Sequence, residues 1–222
     1  MIGLFQRLLD LIYPPKCVFC GRLLKENETD LCTKCRHSLP EAPEVIKKGE
    51  FFKQCWAVYE YDAAVKDSIH RFKFSGMQQY SEAYGKLIAM KLLRAKVSTD
   101  VLTWVPISKK RLKKRGYDQS RLLAQVVARE LDIPCIRTLR KTADNRKQST
   151  VGGAPARRAN VLGMYEAYSP ERFQGKQVLL IDDVITTGAT LSECSRVLLT
   201  AGAAQIECAA LAAAQISDKK EQ

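Results

Sequence analysis

Val178-Leu179-Leu180-Ile181-Asp182-Asp183-Val184-Ile185-Thr186-Thr187-Gly188-Ala189-Thr190 is the stretch on which the reading of the fold turns. Four aliphatic residues in succession, without polar alternation, describe a strand covered on both faces, as in a parallel sheet flanked by helices. Two adjacent carboxylates close the run, and a hydroxyl-rich turn leads into a helix expected over residues 190–200. The turn therefore belongs at the carboxyl edge of a central strand, where open α/β sheets bind their ligands. Unpaired N–H groups at a helix start hold anions; Gly188 permits close backbone approach, and Thr186, Thr187 and Thr190 add hydroxyls. A phosphate monoester fits this cradle. Asp182 and Asp183 accept hydrogen bonds only when ionised, which suits the two hydroxyls of a ribose and, through waters, a Mg2+ ion held mainly by the substrate.

Working outward, apolar periodicity predicts strands over 55–61, 101–105, 161–165 and 206–211, and another near Cys135. Helices are predicted over 81–96 and from Asp118, as cap, to Leu131. Strand and helix alternate, so the body reads as a doubly wound, mostly parallel sheet of the α/β class. Ser38 to Lys53 is polar and broken by Pro40, Pro43 and Gly49. It divides the chain near residue 50 into an N-terminal unit, 1–50, and a larger domain, 51–222.

The N-terminal unit is organised by Cys17, Cys20, Cys32 and Cys35, two C-x2-C pairs separated by eleven residues. Each pair aims two thiolates at one point, and together they make a sulfur cage suited to a tetrahedral Zn2+. With four protein ligands the metal would be closed and structural, and its loss is expected to harm this small finger before the larger domain. Disulfides need an oxidising compartment, and no export signal is read in Met1–Tyr13, where Arg7 and Asp10 interrupt the apolar spacing. That opening segment is expected to be an amphipathic helix. His37 is a substitute ligand or a solvated neighbour; Cys55, Cys135, Cys194 and Cys208 sit in apolar runs as small core residues.

Thirty-six Lys and Arg against 24 Asp and Glu leave a net charge of +12, which favours an anionic partner. No stretch approaches the length needed to span a bilayer, and a cytoplasmic protein is expected. Lys109-Lys110-Arg111-Leu112-Lys113-Lys114-Arg115-Gly116 follows a strand end and is expected as a loop facing the same sheet edge as Asp182. Lys109, Arg111 and Arg115 are candidates to hold a leaving pyrophosphate, and Lys110, Lys113 and Lys114 to meet nucleic acid. Arg140 to Arg158, long and polar with paired Gly152-Gly153, is either filler or a lid; its Arg146 and Lys147 are further nucleic-acid candidates. His70-Arg71-Phe72-Lys73-Phe74-Ser75-Gly76 alternates bases with aromatics, a pattern that either stacks nucleobases or places its phenyl rings in the core. The chain holds neither G-x4-G-K-[ST] nor G-x-G-x-x-G, so an ATPase or dinucleotide enzyme has no cradle here.

The acidic pair with Thr-Thr-Gly resembles the phosphoribosyl diphosphate (PRPP) signature of type I phosphoribosyltransferases. Pro14-Pro15-Lys16-Cys17-Val18-Phe19-Cys20-Gly21, Trp104-Val105-Pro106, Arg115-Gly116-Tyr117-Asp118-Gln119-Ser120 and Arg158-Ala159-Asn160-Val161-Leu162-Gly163-Met164-Tyr165 extend the likeness across nearly the whole chain, to the ComF family. The resemblance implies a phosphoribosyltransferase fold fused to a zinc finger and a part in DNA uptake during natural transformation. PRPP would then lie on Asp182, Asp183 and the turn Thr186, Thr187, Gly188, Ala189 and Thr190, with Asp182 and Asp183 as the catalytic pair and the 140–158 loop closing over it. Single-stranded DNA and, through the N-terminal helix, proteins of the uptake machinery at the inner face of the membrane are the implied partners. The acceptor is not implied. Three readings stay open: a transferase, a catalytically inactive DNA-binding module that uses the PRPP pocket as a sensor, and a nucleobase salvage enzyme.

Overall fold

A computed structural model describes residues 14–46, 48–142 and 161–214. In chain order the described elements are α1 (Thr33–Ser38), β1 (Cys55–Glu60), α2 (Ala63–Phe74), α3 (Tyr80–Arg94), β2 (Val101–Trp104), α4 (Lys109–Arg115), α5 (Gln119–Leu131), β3 (Leu139–Lys141), β4 (Tyr165–Ala167), β5 (Gln177–Ile185), α6 (Ala189–Thr200) and β6 (Gln205–Ala213). The main sheet runs β1-β6-β5-β2 and every pairing in it is parallel. Nothing in the described residues is long and apolar enough to cross a membrane as a helix.

The aliphatic run of β5 explains its central place. Leu179 and Ile181 pack with Ile69 and Phe72 of α2, Tyr84 and Ile88 of α3, and Leu123 and Val127 of α5. Val178 and Leu180 face the other way, onto Leu191, Cys194 and Leu198 of α6, Leu139 of β3 and Phe173. Successive residues of a strand leave opposite faces, so a strand covered on both sides needs an apolar residue at every position. Close approach of α3 to α5 is possible because residue 85 is glycine: a Cβ there would lie 2.4 Å from Val126 Cβ.

Three local expectations change. The strand expected over 161–165 is a turn, with Gly163 at φ 74°, followed by the short β4. β4 pairs antiparallel with β3 in a separate two-stranded ribbon. The strand near Cys135 shrinks to one parallel bridge, Leu102 with Cys135. The basic loop after β2 is helical, because Ser108 caps it by accepting from the Arg111 N–H and Gly116, at φ 82°, ends it in the left-handed region. His70 to Phe74 is the last turn of α2, and of its two phenyl rings only Phe72 enters the core. The N-terminal helix expected over 1–13, most of the 140–158 loop with Arg146 and Lys147, and the tail from residue 215 lie outside the described residues.

Candidate functional site

Asp182 and Asp183 stand inside β5, which continues to Ile185 against Ala213 of β6. Their local turn is built as the sequence indicates: Gly188 takes φ 76° as the cap of α6, a conformation that a β-carbon would strain, and the Ala189 N–H reaches Thr187 Oγ1 at 3.4 Å. Around the pair a cleft of about 150 Å3 is lined by Lys73, Arg111, Arg115, Ser120, Lys141, Tyr165 and Thr190, together with Val105, Pro106 and Ile107 after β2. Five of the residues expected to bind PRPP thus share one cavity: Asp182, Asp183, Thr190, Arg111 and Arg115. Thr186, Thr187, Gly188 and Ala189 form the adjoining turn, while Lys109 is exposed and stands outside the cleft lining.

The two carboxylates occupy different surroundings. Asp183 is paired with Lys73 Nζ at 2.7 Å, and both side chains are largely enclosed. Asp182 Oδ1 accepts from Ser120 Oγ at 2.9 Å and from the Asp183 N–H at 2.8 Å. Burial, and next the negative charge of Asp183, push the Asp182 carboxyl up to about 7. Arg115 is aimed by two contacts, donating to Gln119 Oε1 at 2.7 Å and lying 4.7 Å over the Phe74 ring. Asp118 caps α5 through the Arg121 N–H and also accepts from the Ile107 N–H at 3.2 Å, which fixes the strand-end loop against the helix carrying Ser120. Chemically this is a carboxylate pair facing cations at the carboxyl edge of a parallel sheet.

Lys73, Ser120, Lys141 and Tyr165 had no assigned role in the cleft from sequence. Lys73 is 110 residues from its partner in the chain, a separation across which spacing carries no signal. Lys141 Nζ lies 3.1 Å from Tyr165 Oη, and through these two residues the β3–β4 ribbon contributes to the cleft lining.

The N-terminal cluster meets the geometry of a metal cage. The ligand atoms of Cys17, Cys20, Cys32 and Cys35 lie within 4.8 Å of one another. Cys20 Sγ is 3.7 Å from Cys32 Sγ; tetrahedral Zn2+ with bonds of about 2.3 Å sets its sulfurs about 3.8 Å apart. Gly21 at φ 74° turns the first knuckle, and the Val18 N–H bonds to Asp30 O at 3.0 Å to bring the halves together. Cys32 caps α1, whose second turn carries His37, hydrogen-bonded to Thr33 O at 2.8 Å and not part of the cage. Glu28 braces the second knuckle: it accepts from the Thr33 N–H at 2.6 Å and from Thr33 Oγ1, the Lys25 N–H and Arg22 Nη2. These bonds, the Thr33 N–H foremost, hold its carboxyl down to about 2.

The knuckle is joined to the larger domain. Ser68 Oγ donates to Val18 O, and Arg71 Nη2 to Phe19 O. The Phe19 ring meets Tyr59 at 5.2 Å and Tyr84 at 5.6 Å. Beyond it Ala42 N–H bonds to Val58 O and Glu60 N–H to Pro40 O, so the segment leading to residue 46 runs along β1.

Residues 118–222 match the phosphoribosyl transferase domain family, and residues 8–46 match the double zinc ribbon domain. Among curated proteins the chain is 31% identical over 212 residues to Competence protein ComFC of Bacillus subtilis (strain 168), covering 89% of this chain and 84% of that protein. It is 30% identical over 204 residues to DNA utilization protein YhgH of Escherichia coli O157:H7, covering 86% and 87%. Competence protein F of Haemophilus influenzae is 27% identical over 222 residues, covering 90% and 97%. The fold, the acidic pair at the sheet edge, the four-cysteine structural zinc site and these full-length likenesses agree, and the chain belongs to the ComF family of phosphoribosyltransferase-domain proteins with an N-terminal zinc ribbon.

Proposed function

We propose that the cleft binds PRPP and that the chain handles incoming single-stranded DNA in natural transformation as a phosphoribosyltransferase-like protein. The observation that carries the reading is the meeting, in one cavity, of Asp182 and Asp183 with Arg111, Arg115 and Lys73 beside the Gly188 turn. In this reading Asp182 and Asp183 accept from the ribose hydroxyls, and the turn from Thr186 to Thr190 receives the 5′-phosphate. Arg111 and Arg115, which line the cleft, hold the pyrophosphate as it leaves and C1′ gains oxocarbenium character. Mg2+ bound with the substrate would neutralise part of the pyrophosphate charge, and the acidic pair suits its water shell. Lys73 frees Asp183 for the ligand by turning from the carboxylate to the pyrophosphate, a change of partner that keeps both charges satisfied.

Pyrophosphate release from PRPP and Mg2+ in the presence of a panel of bases and oligonucleotides, followed together with DNA retention, tests this. Release with an oligonucleotide or a base identifies the acceptor class and separates a DNA-directed transferase from a salvage enzyme. Because Lys73 pairs with Asp183 and so occupies one member of the acidic pair, a sensor that binds PRPP without turnover is the second reading; binding without release across the whole panel selects it. Loss of both binding and release leaves neither.

Lys110, Lys113 and Lys114 are exposed on α4, where they are free to meet DNA phosphates. Replacing all three with Ala should weaken binding of single-stranded DNA and flatten its salt dependence by about two units of slope, at roughly 0.7 per phosphate contact. An unchanged slope in a salt titration would assign these lysines to a solvated face.

A further inference from the structure

The last turn of α2 carries a second feature that neither the PRPP cleft nor the sheet core uses. Phe72 fills the core, 1% exposed, while Phe74, two residues on, is 53% exposed. His70, one turn earlier and also exposed, meets Phe74 at 4.7 Å between ring centroids, inclined by 46°. Arg115 lies over the same phenyl ring at 4.7 Å and reaches on into the cleft, which Lys73, between His70 and Phe74 in sequence, also lines. Arg115 also ends α4, in which six of seven residues are cations, and among the described residues none of the six makes an ion pair with a carboxylate. A helix so charged repels itself, and an anion laid along it relieves that cost.

We infer that His70 and Phe74 are the base-stacking platform of a single-strand nucleic-acid site whose backbone track is α4 and which opens into the Asp182/Asp183 cleft. Stacking needs an exposed π-face beside a run of cations, and Arg115 joins the two here. Duplex bases are stacked on one another and offer no face, so the partner is a strand with unpaired bases. A nucleobase on the platform lies beside Arg115, which also lines the Asp182/Asp183 cleft. The inference rests on the proposed binding of DNA by α4 and adds to it a contact with bases rather than with phosphates.

The test compares an oligothymidylate with an abasic oligomer of the same length and charge, titrated into the full-length protein at several salt concentrations. The protein should prefer the base-bearing strand by about tenfold for one stacked base. Phe74→Ala should remove most of that preference, and Phe74→Tyr should keep it; since the ring is exposed, neither change disturbs the core. Lys110→Ala/Lys113→Ala/Lys114→Ala should weaken both oligomers in parallel and leave their ratio alone. Equal affinity of the unsubstituted protein for the two strands, or a ratio untouched by Phe74→Ala, overturns the platform while leaving phosphate-driven DNA binding in place. Retention of neither strand at low salt overturns DNA binding by α4, and the platform with it.

Discussion

Asp182→Asn/Asp183→Asn should abolish Mg2+-dependent binding of PRPP, and Asp182→Asn alone should raise the unfolding temperature at pH 8. The first effect is expected to exceed a hundredfold in calorimetry, since each hydrogen bond from a charged acceptor is worth about 1.5–3 kcal/mol and two acceptors are lost. The second follows from proton linkage. The folded state holds the Asp182 proton up to about pH 7, whereas an unfolded aspartate releases it near 3.8. Between those values the folded chain binds more protons than the unfolded one, so this group's contribution to stability falls as pH rises from about 4 to about 7 and is fully lost above that. Asn carries no charge and escapes the loss, while its amide oxygen still accepts from Ser120. The variant should match the natural protein's unfolding temperature near pH 4 and exceed it by a few degrees at pH 8, each kcal/mol being worth about 2–4 °C in a chain of this size. For the same reason PRPP affinity should strengthen as pH rises through about 7. A lower unfolding temperature for Asp182→Asn at pH 8 would show that the buried charge is compensated; unchanged PRPP affinity in the double variant would show that the ligand sits elsewhere.

Removing zinc, by chelation or by Cys17→Ser, should have the other large effect, and it should reach the cleft. A closed four-thiolate site supplies most of the stability of a unit with so little core, on the order of 10 kcal/mol for isolated zinc fingers. Sequence reasoning expects the damage in the finger before it reaches the larger domain. The structure directs it further, since Val18 and Phe19 carbonyls accept from Ser68 and Arg71 of α2, and Lys73, two residues past Arg71, holds Asp183. Hydrogen exchange should therefore show α2 losing protection when the metal leaves, together with weaker PRPP binding. Full protection of α2 in metal-free protein, with PRPP affinity intact, would make the ribbon an independent appendage.

What could be read without a structure was local. β5 declared itself through four consecutive aliphatic residues, α5 through the Asp118 cap and its apolar spacing, and the metal cage through two C-x2-C pairs, because strand burial, helix capping and ligand bite are each settled within a few residues of chain. The short pieces were misread for the same reason. Six like charges mask a helix whose cap and terminator, Ser108 and Gly116, lie just outside them. Three residues of β3 or β4 are too few to show a period, and their pairing partner lies 24 or more residues away in the chain.

The cleft divides along the same line. By itself the sequence determined an α/β chain with a parallel central strand, an acidic pair beside a glycine turn and a four-thiolate zinc site, since each is written in contiguous residues. Only the tertiary structure decided which side chains meet that pair: Lys73 from α2, Ser120 from α5, and Lys141 and Tyr165 from a ribbon outside the main sheet. Adjacent residues of a strand face opposite sides, so it was also packing that set Asp183 against Lys73 and Asp182 against Ser120. Contacts between residues far apart in the chain depend on how the layers stack, and a charge acquires its function from the neighbours that stacking brings to it.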